Sequence, residues 1–426
     1  MTVGIGREII TPEIGGFLFG YNDKTRSTSV HDDLNVTALI IKTEETSAIL
    51  ISFTVCLIHE SLVREISEKA GAAAGIPAEN VIVSATHTHS GPPTTIYSRH
   101  KSFGAMDREY CDKTFIPKCV EAVKTAAANL KPAKMGVGTT ESKVGINRRQ
   151  LHLDNSVSLG QNPWDHYDSV MTVISFAGAD DLKPIANIVH VGAHCTAAGN
   201  NHEITRDWAG VMVDRLDAES GGVTLFANGT LGDVAPRMAN GGSTGDLKHA
   251  MEVGGLAGID AVRAFKSIKA YYDEPLKVAC REFEIPFVAP IPKEDIPGMI
   301  ESCGEWDRFK RTSLEQLADL YEEGNTGPDS LKFRQVIFRI GPVVLVPYPF
   351  EVSSEIGLRL RNYSSFAHTL TMSCTNGSNS YLPAQSQICR GGYEINSFLW
   401  FRPRQLPNDT DRILIEQNLK LMEDLK

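Results

Sequence analysis

Apolar, β-branched runs alternate along this chain with stretches whose apolar residues recur at helical spacing. Residues 35–55 hold two such runs around Thr43-Glu44-Glu45-Thr46, a pattern that predicts a hairpin. Residues 59–74 and 107–130 carry amphipathic helical spacing, the second ending at Lys131-Pro132. Strands are expected at 80–84, 134–144, 169–176, 184–192 and, briefly, at Leu225-Phe226-Ala227, with helices at 207–219 and 248–267. Residues 290–332 are polar and mostly helical in pattern, which reads as a surface excursion or lid. Beyond them come a hairpin at 333–346 turning on Ile340-Gly341-Pro342, a helix at 351–362, a strand at 368–374 and an amphipathic helix at 409–424. The alternation of strands and helices, with no repeat and no linker, predicts one α/β domain over 1–426, a sandwich built on a mixed sheet.

Several of these runs end in side chains suited to metals. The strand at 80–84 leads into Ala85-Thr86-His87-Thr88-His89-Ser90-Gly91-Pro92-Pro93. If extended geometry persists into that loop, the two imidazoles point the same way and line one cavity. An HxH pair is a common way to present imidazole nitrogen to Zn²⁺, and it is equally read as two surface histidines. The strand at 184–192 ends at His194, the run at 343–346 precedes Glu351, and Tyr381 follows the run at 368–374. In α/β architectures sites form where strand ends converge. Two imidazoles, a carboxylate and an oxygen ligand suit Zn²⁺ and leave room for a water. Taken singly, each residue has a plainer reading, as a buried histidine bonded to a carbonyl or a glutamate at a helix N-terminus.

Composition narrows the partners. Apolar content of 42% and charged content of 22% are ordinary for a folded protein. A net charge of -10 and the lack of a basic stripe argue against a nucleic-acid partner. Neither a signal-peptide pattern nor an apolar run long enough to span a membrane is visible. The eight scattered cysteines, without a CxxC, read as reduced thiols, so a cytoplasmic location and no integral membrane segment are expected.

The order of short motifs resembles the catalytic region of the neutral/alkaline (non-lysosomal) ceramidase family. The likeness runs from Gly4-Ile5-Gly6-Arg7-Glu8-Ile9-Ile10-Thr11-Pro12 to about Tyr393. It passes through Val30-His31-Asp32-Asp33-Leu34, the His-Thr-His loop, Ile146-Asn147-Arg148, Ile204-Thr205-Arg206-Asp207-Trp208-Ala209-Gly210 and Gly232-Asp233-Val234. The resemblance implies a zinc-dependent amidase with His87, His194, Glu351 and Tyr381 as ligands. It further implies His89 for proton transfer, Arg148 and Tyr393 as donors to the developing oxyanion, and Asp207 and Asp233 orienting histidines or loop amides. Glu355 competes with Glu351, which the spacing to Gly357 favours, and His190 competes with His194. His202 and Glu203 read as solvated or substrate-contacting.

Where the family has Gly-Asp-Val-Ser-Pro, this chain has Gly232-Asp233-Val234-Ala235-Pro236, so activated water rather than a serine is the expected nucleophile. The family's further C-terminal β-domain is not matched, and no membrane-facing aromatic stretch is seen. Both shift the expected substrate from ceramide toward a small polar amide or related carbonyl compound. The alternatives are a true ceramide amidohydrolase, a lactone or cyclic diketone hydrolase of sugar or cyclitol catabolism, and a non-enzymatic binding protein that keeps the fold.

Overall fold

The computed structural model describes residues 1–22, 24–96, 106–304 and 307–426. In chain order, the large sheet begins with β1 (Thr2–Ile9), β2 (Asn35–Lys42), β3 (Ser47–Phe53) and β4 (Val81–Ala85). It continues with β5 (Lys131–Glu141), β6 (Val170–Gly178), β7 (Pro184–Val191) and β8 (Val223–Asn228). Their order across the sheet is β8-β7-β6-β5-β1-β2-β3-β4. The two outermost pairs, β3/β4 and β7/β8, are parallel, and every other neighbour is antiparallel. Helix α1 (Glu60–Ala74) makes the crossover from β3 to β4. A second sheet holds β9 (Leu276–Pro286), β10 (Ser330–Ile340), β11 (Val343–Pro347) and β12 (His368–Met372) in that order.

The sheets pack face to face. Leu39, Leu50, Ile82, Ile174 and Ile188 of the large sheet meet Val336, Phe338, Leu345 and Met372 of the small one in a single core. Outside β1–β4 lie α1 and α2 (Ile116–Ala128), and outside β6–β8 lie α3 (Asp207–Ser220) and α4 (Leu247–Lys266). The outer face of the small sheet is covered by α6 (Ser354–Tyr363), α7 (Tyr393–Trp400) and α8 (Thr410–Glu423), while α5 (Arg308–Glu322) packs beside α7. This is the mixed-sheet α/β sandwich that the alternation of elements predicts.

Traced through the ladder, β4 and β7 run in opposite directions, yet the loops that leave them meet. Thr88 pairs with Cys195, and Ser52 on β3 donates to the Phe226 carbonyl on β8 at 2.7 Å. The sheet folds back on itself at β1/β5, which pair only at Thr2–Pro132 and Val3–Lys131, and this brings β8 directly against β2, β3 and β4.

Two expectations need correction, and two strands were not foreseen. Strand β1, at the middle of the large sheet, was hidden by Gly4 and Gly6, which suppress the apolar alternation. They are required because a Cβ at either would lie about 2 Å from a carbonyl oxygen of α2. Strand β9 was missed; it pairs along its whole length with β10. Residues 290–332 form the connection between these two strands, and Leu314 and Leu317 of α5 are fully buried, so the segment is more than a surface excursion. Its residues 305 and 306 lie outside the described set. The helix expected at 351–362 begins at Ser354, because Glu351–Val352 pairs in parallel with Tyr381–Leu382 as a short ribbon. The long helix at 107–130 is observed with a π-turn at Cys111–Phe115.

A Cβ at position 6 would sit 2.1 Å from the Ala122 carbonyl oxygen, a backbone atom that cannot swing away. Gly6→Ala is therefore expected to cost about 1–3 kcal/mol, measured as a lowered denaturation midpoint.

Candidate metal centre

Three segments deliver the polar side chains. The loop after β4 brings His87 and His89, the loop after β7 brings His194, and the ribbon brings Glu351 and Tyr381, which are register partners. His87, His194, Glu351 and Tyr381 are each less than a tenth exposed. One carboxylate oxygen, Glu351 Oε2, lies 3.3 Å from His87 Nε2 and 3.0 Å from His194 Nε2. Tyr381 Oη is 3.3 Å from His194 Nε2. His89 Nε2 is 3.3 Å from His87 Nε2.

The other face of each imidazole fixes its tautomer. His87 Nδ1 donates to the Cys56 carbonyl at 2.9 Å, and His194 Nδ1 donates to the Leu231 carbonyl at 2.7 Å. Both Nε2 atoms are then bare acceptors aimed at a carboxylate oxygen, itself an acceptor. Three acceptors within hydrogen-bond distance call for a positive charge between them, a metal ion or a proton on one Nε2. In the residues alone the proton takes that place. Burial pushes Glu351 up, but His87 and His194 outweigh it and hold the carboxyl well below its usual range. Burial pulls His87 down, yet Cys56, Cys374 and Glu351 together push it well above its ordinary value. Burial, with Arg148 close by, pushes His194 down to about 4.

Two ligands each about 2.0–2.1 Å from a tetrahedral ion are about 3.3 Å apart. The donor separations of 3.0–3.3 Å fit that spacing. The residues present therefore suit a small tetrahedral cation with nitrogen and oxygen ligands.

Backbone conformation differs from the extended run expected for the His-Thr-His loop. His87 has φ 73°, in the left-handed region that costs a β-carbon residue free energy. The two rings still face one cavity, their centroids 4.9 Å apart, by a kink rather than by strand alternation. Cys374 and Ser380, beside the centre, and Asp207, which bonds the loop after His194, also have positive φ.

The supporting residues were only partly foreseen. Asp233 touches no histidine. It accepts from Ser353 Oγ and the Ser354 amide, both at 2.7 Å, and from Gln387, and so anchors the segment just after Glu351. Asp207 accepts from the Ala197 and Ala198 amides, which fixes the loop after His194. Asn228 was not singled out from sequence. Its Nδ2 donates to the Thr86 carbonyl at 2.9 Å and the Ala193 carbonyl at 3.0 Å, tying the two histidine loops together. Glu394 was also missed; it accepts from Arg148 and Arg149.

Arg148 is buried and donates from Nη2 to Tyr381 Oη at 2.9 Å. Tyr393 is 41% exposed and lines a cavity with His87, His89, Glu351 and Tyr381. The cavity measures about 460 Å³ including its mouth, and Phe309 of α5, Phe401, Leu57 and Ile96 form its apolar side. Of the rival residues, Glu355 bonds Ser386 instead, His190 donates to the Thr371 carbonyl inside the core, and His202 bonds the Arg26 carbonyl.

A family profile for the N-terminal region of neutral/alkaline non-lysosomal ceramidase matches residues 1–251. The chain belongs to the neutral/alkaline non-lysosomal ceramidase family. Neutral ceramidase B of Dictyostelium discoideum is 30% identical over 172 residues, 37% of this chain and 24% of that protein. Neutral ceramidase A of the same organism is 28% identical over 220 residues, 46% of this chain and 30% of that protein. Neutral ceramidase of Pseudomonas aeruginosa is 30% identical over 169 residues, 37% of this chain and 24% of that protein. These matches span a quarter to a third of the curated relatives' length. The crystal structure of the Pseudomonas aeruginosa neutral ceramidase superimposes with a TM-score of 0.77 at 20% identity, over 99% of this chain and 74% of that one. A ceramidase complexed with C2 gives the same TM-score at 18% identity. The shared fold thus covers almost all of this chain and about three quarters of that one. Among the described residues, no helix is long and apolar enough to cross a membrane.

Asn228→Ala strands two buried carbonyls and should cost about 2–3 kcal/mol. Thermal unfolding measures it.

Proposed function

We propose that this protein is a zinc-dependent hydrolase that uses water to cleave an amide or a chemically related carbonyl compound. The observation that carries the reading is the convergence of two tautomer-fixed imidazole Nε2 atoms on one buried carboxylate oxygen, at 3.0 and 3.3 Å. His87, His194, Glu351 and Tyr381 would hold the ion. Zn²⁺ bound there supplies Lewis-acid polarisation and lowers the pKa of a water toward neutrality.

The chain's own groups do the rest. His89, whose Nε2 lies 3.3 Å from His87 Nε2 on the cavity wall, is placed to take a proton from the attacking water at Nε2 and return it to the leaving group. The phenol of Tyr393, on the cavity wall, donates to the developing oxyanion. Arg148 contributes through the Tyr381 hydroxyl it donates to. Ala235 carries no hydroxyl, so water is the nucleophile at that position.

A cavity of this size suits a small molecule. Its Ser378, Ser380 and Ser397 lining favours a polar substrate. Hydrolysis of an N-acylsphingosine is the second reading, favoured by the apolar side at Leu57, Ile96, Phe309 and Phe401.

Elemental analysis should find about one zinc per chain, as a single tetrahedral site requires. Chelation should abolish hydrolysis of N-acyl amides or small ring carbonyl compounds, and added zinc should restore it. His194→Ala should lose the metal and all turnover while keeping its circular dichroism spectrum; Glu355→Ala should lose neither. Full turnover in His194→Ala refutes the metal assignment.

A further inference from the structure

Arg148, which the proposed reaction uses, sits in a buried Arg–Glu–Arg cluster with Arg149 and Glu394, to which that reaction assigns no part. Arg148 Nε donates to Glu394 Oε1 at 2.8 Å, and Arg149 Nη1 donates to Glu394 Oε2 at 2.7 Å. Arg149 Nη2 donates to the Gly391 carbonyl at 2.6 Å, which ties the cluster to the turn before α7. All three residues are at most 5% exposed. Desolvating three charges is expensive, and apolar side chains of similar volume commonly do as well or better for stability. The cluster therefore calls for an explanation other than packing.

Its outlet supplies one. Arg148 turns Nη2 onto Tyr381 Oη at 2.9 Å, and that oxygen lies 3.3 Å from His194 Nε2. A planar guanidinium gripped at Nε has little freedom left, so the position of Nη2 is set by Glu394. Glu394 is the second residue of α7, directly after Tyr393. The start of α7 thus sends one side chain to the cavity wall and the next to the support of Tyr381.

We infer that Glu394 is a positioning residue: through Arg148 it fixes the Tyr381 phenol oxygen against the metal centre. The inference rests on Tyr381 being a metal ligand, as proposed above. In Glu394→Gln the charge that holds Arg148 is gone, Arg148 swings, and Tyr381 loses its partner while His87, His194 and Glu351 stay in place.

The test loads the full-length protein with Cu²⁺ and records its visible absorption. A phenolate bound to Cu²⁺ gives a ligand-to-metal charge-transfer band that histidine and carboxylate ligands do not give there. Wild type should show the band and Tyr381→Phe should not. Glu394→Gln should bind copper with affinity about 10–100-fold lower and with the band weakened or shifted, and Glu394→Asp should recover part of it. An unchanged band and affinity in Glu394→Gln overturns the inference and leaves the metal centre standing. Copper binding without a band in wild type removes Tyr381 from the ligand set, which overturns the inference and leaves a metal site of His87, His194 and Glu351. No copper or zinc binding in wild type overturns the metal reading and the inference with it. Should Glu394→Gln fail to fold, Arg149→Met, which removes one of the two grips on Glu394, is read by the same spectrum and the same criteria.

Discussion

Two imidazole nitrogens aimed at one carboxylate oxygen need a positive charge between them, a metal ion or a proton, and the surrounding structure is arranged to impose the convergence. The Cys56 and Leu231 carbonyls hold the ring protons on the far side, so neither ring can relieve the contact by changing tautomer. Asn228 holds the two loops together, and Asp233 holds the ribbon from behind. Close approach does the rest: a Cβ on Gly232 would lie 2.5 Å from the Glu351 carbonyl oxygen. The strained backbone at His87 belongs to the same set of constraints. Its free-energy cost is borne by the sandwich, whose cores are apolar and fully buried.

Much of this was legible in the sequence. The parallel edges of the large sheet are continuous apolar runs, and each leads into its histidine loop; the motif order added Glu351 and Tyr381. What was not legible has specific physical causes. Gly4 and Gly6 serve close packing of α2 and so erase the strand pattern of β1. In strand β9 the run Val278-Ala279-Cys280 followed by Arg281-Glu282 breaks the alternation, and its partner lies some fifty positions further on, beyond any local signal. Glu351 belongs to a two-residue ribbon whose other half is thirty positions away, so a helix was the natural reading of the residues that follow it.

The partners that stand behind the central side chains were harder still to see. Asn228 acts through two carbonyls, and Glu394 acts through two arginines. Neither lies in a pattern with a period, and neither has a residue type that signals its role. Asp233 and Asp207 were noticed because they sit in motifs, yet what they hold is backbone amide rather than imidazole. Supporting shells of this kind become visible only once the chain is folded.

The centre draws on residues at both ends of the sequence: His87 meets Glu351, 264 positions later, and Tyr381 stands beside that carboxylate. A growing chain that has emerged only as far as α4 holds both histidine loops and neither oxygen donor. During synthesis a metal ion held by these residues would have no complete cage to enter, and it could not template the larger sheet. It would enter only once Tyr381 has emerged and the smaller sheet has closed over the first.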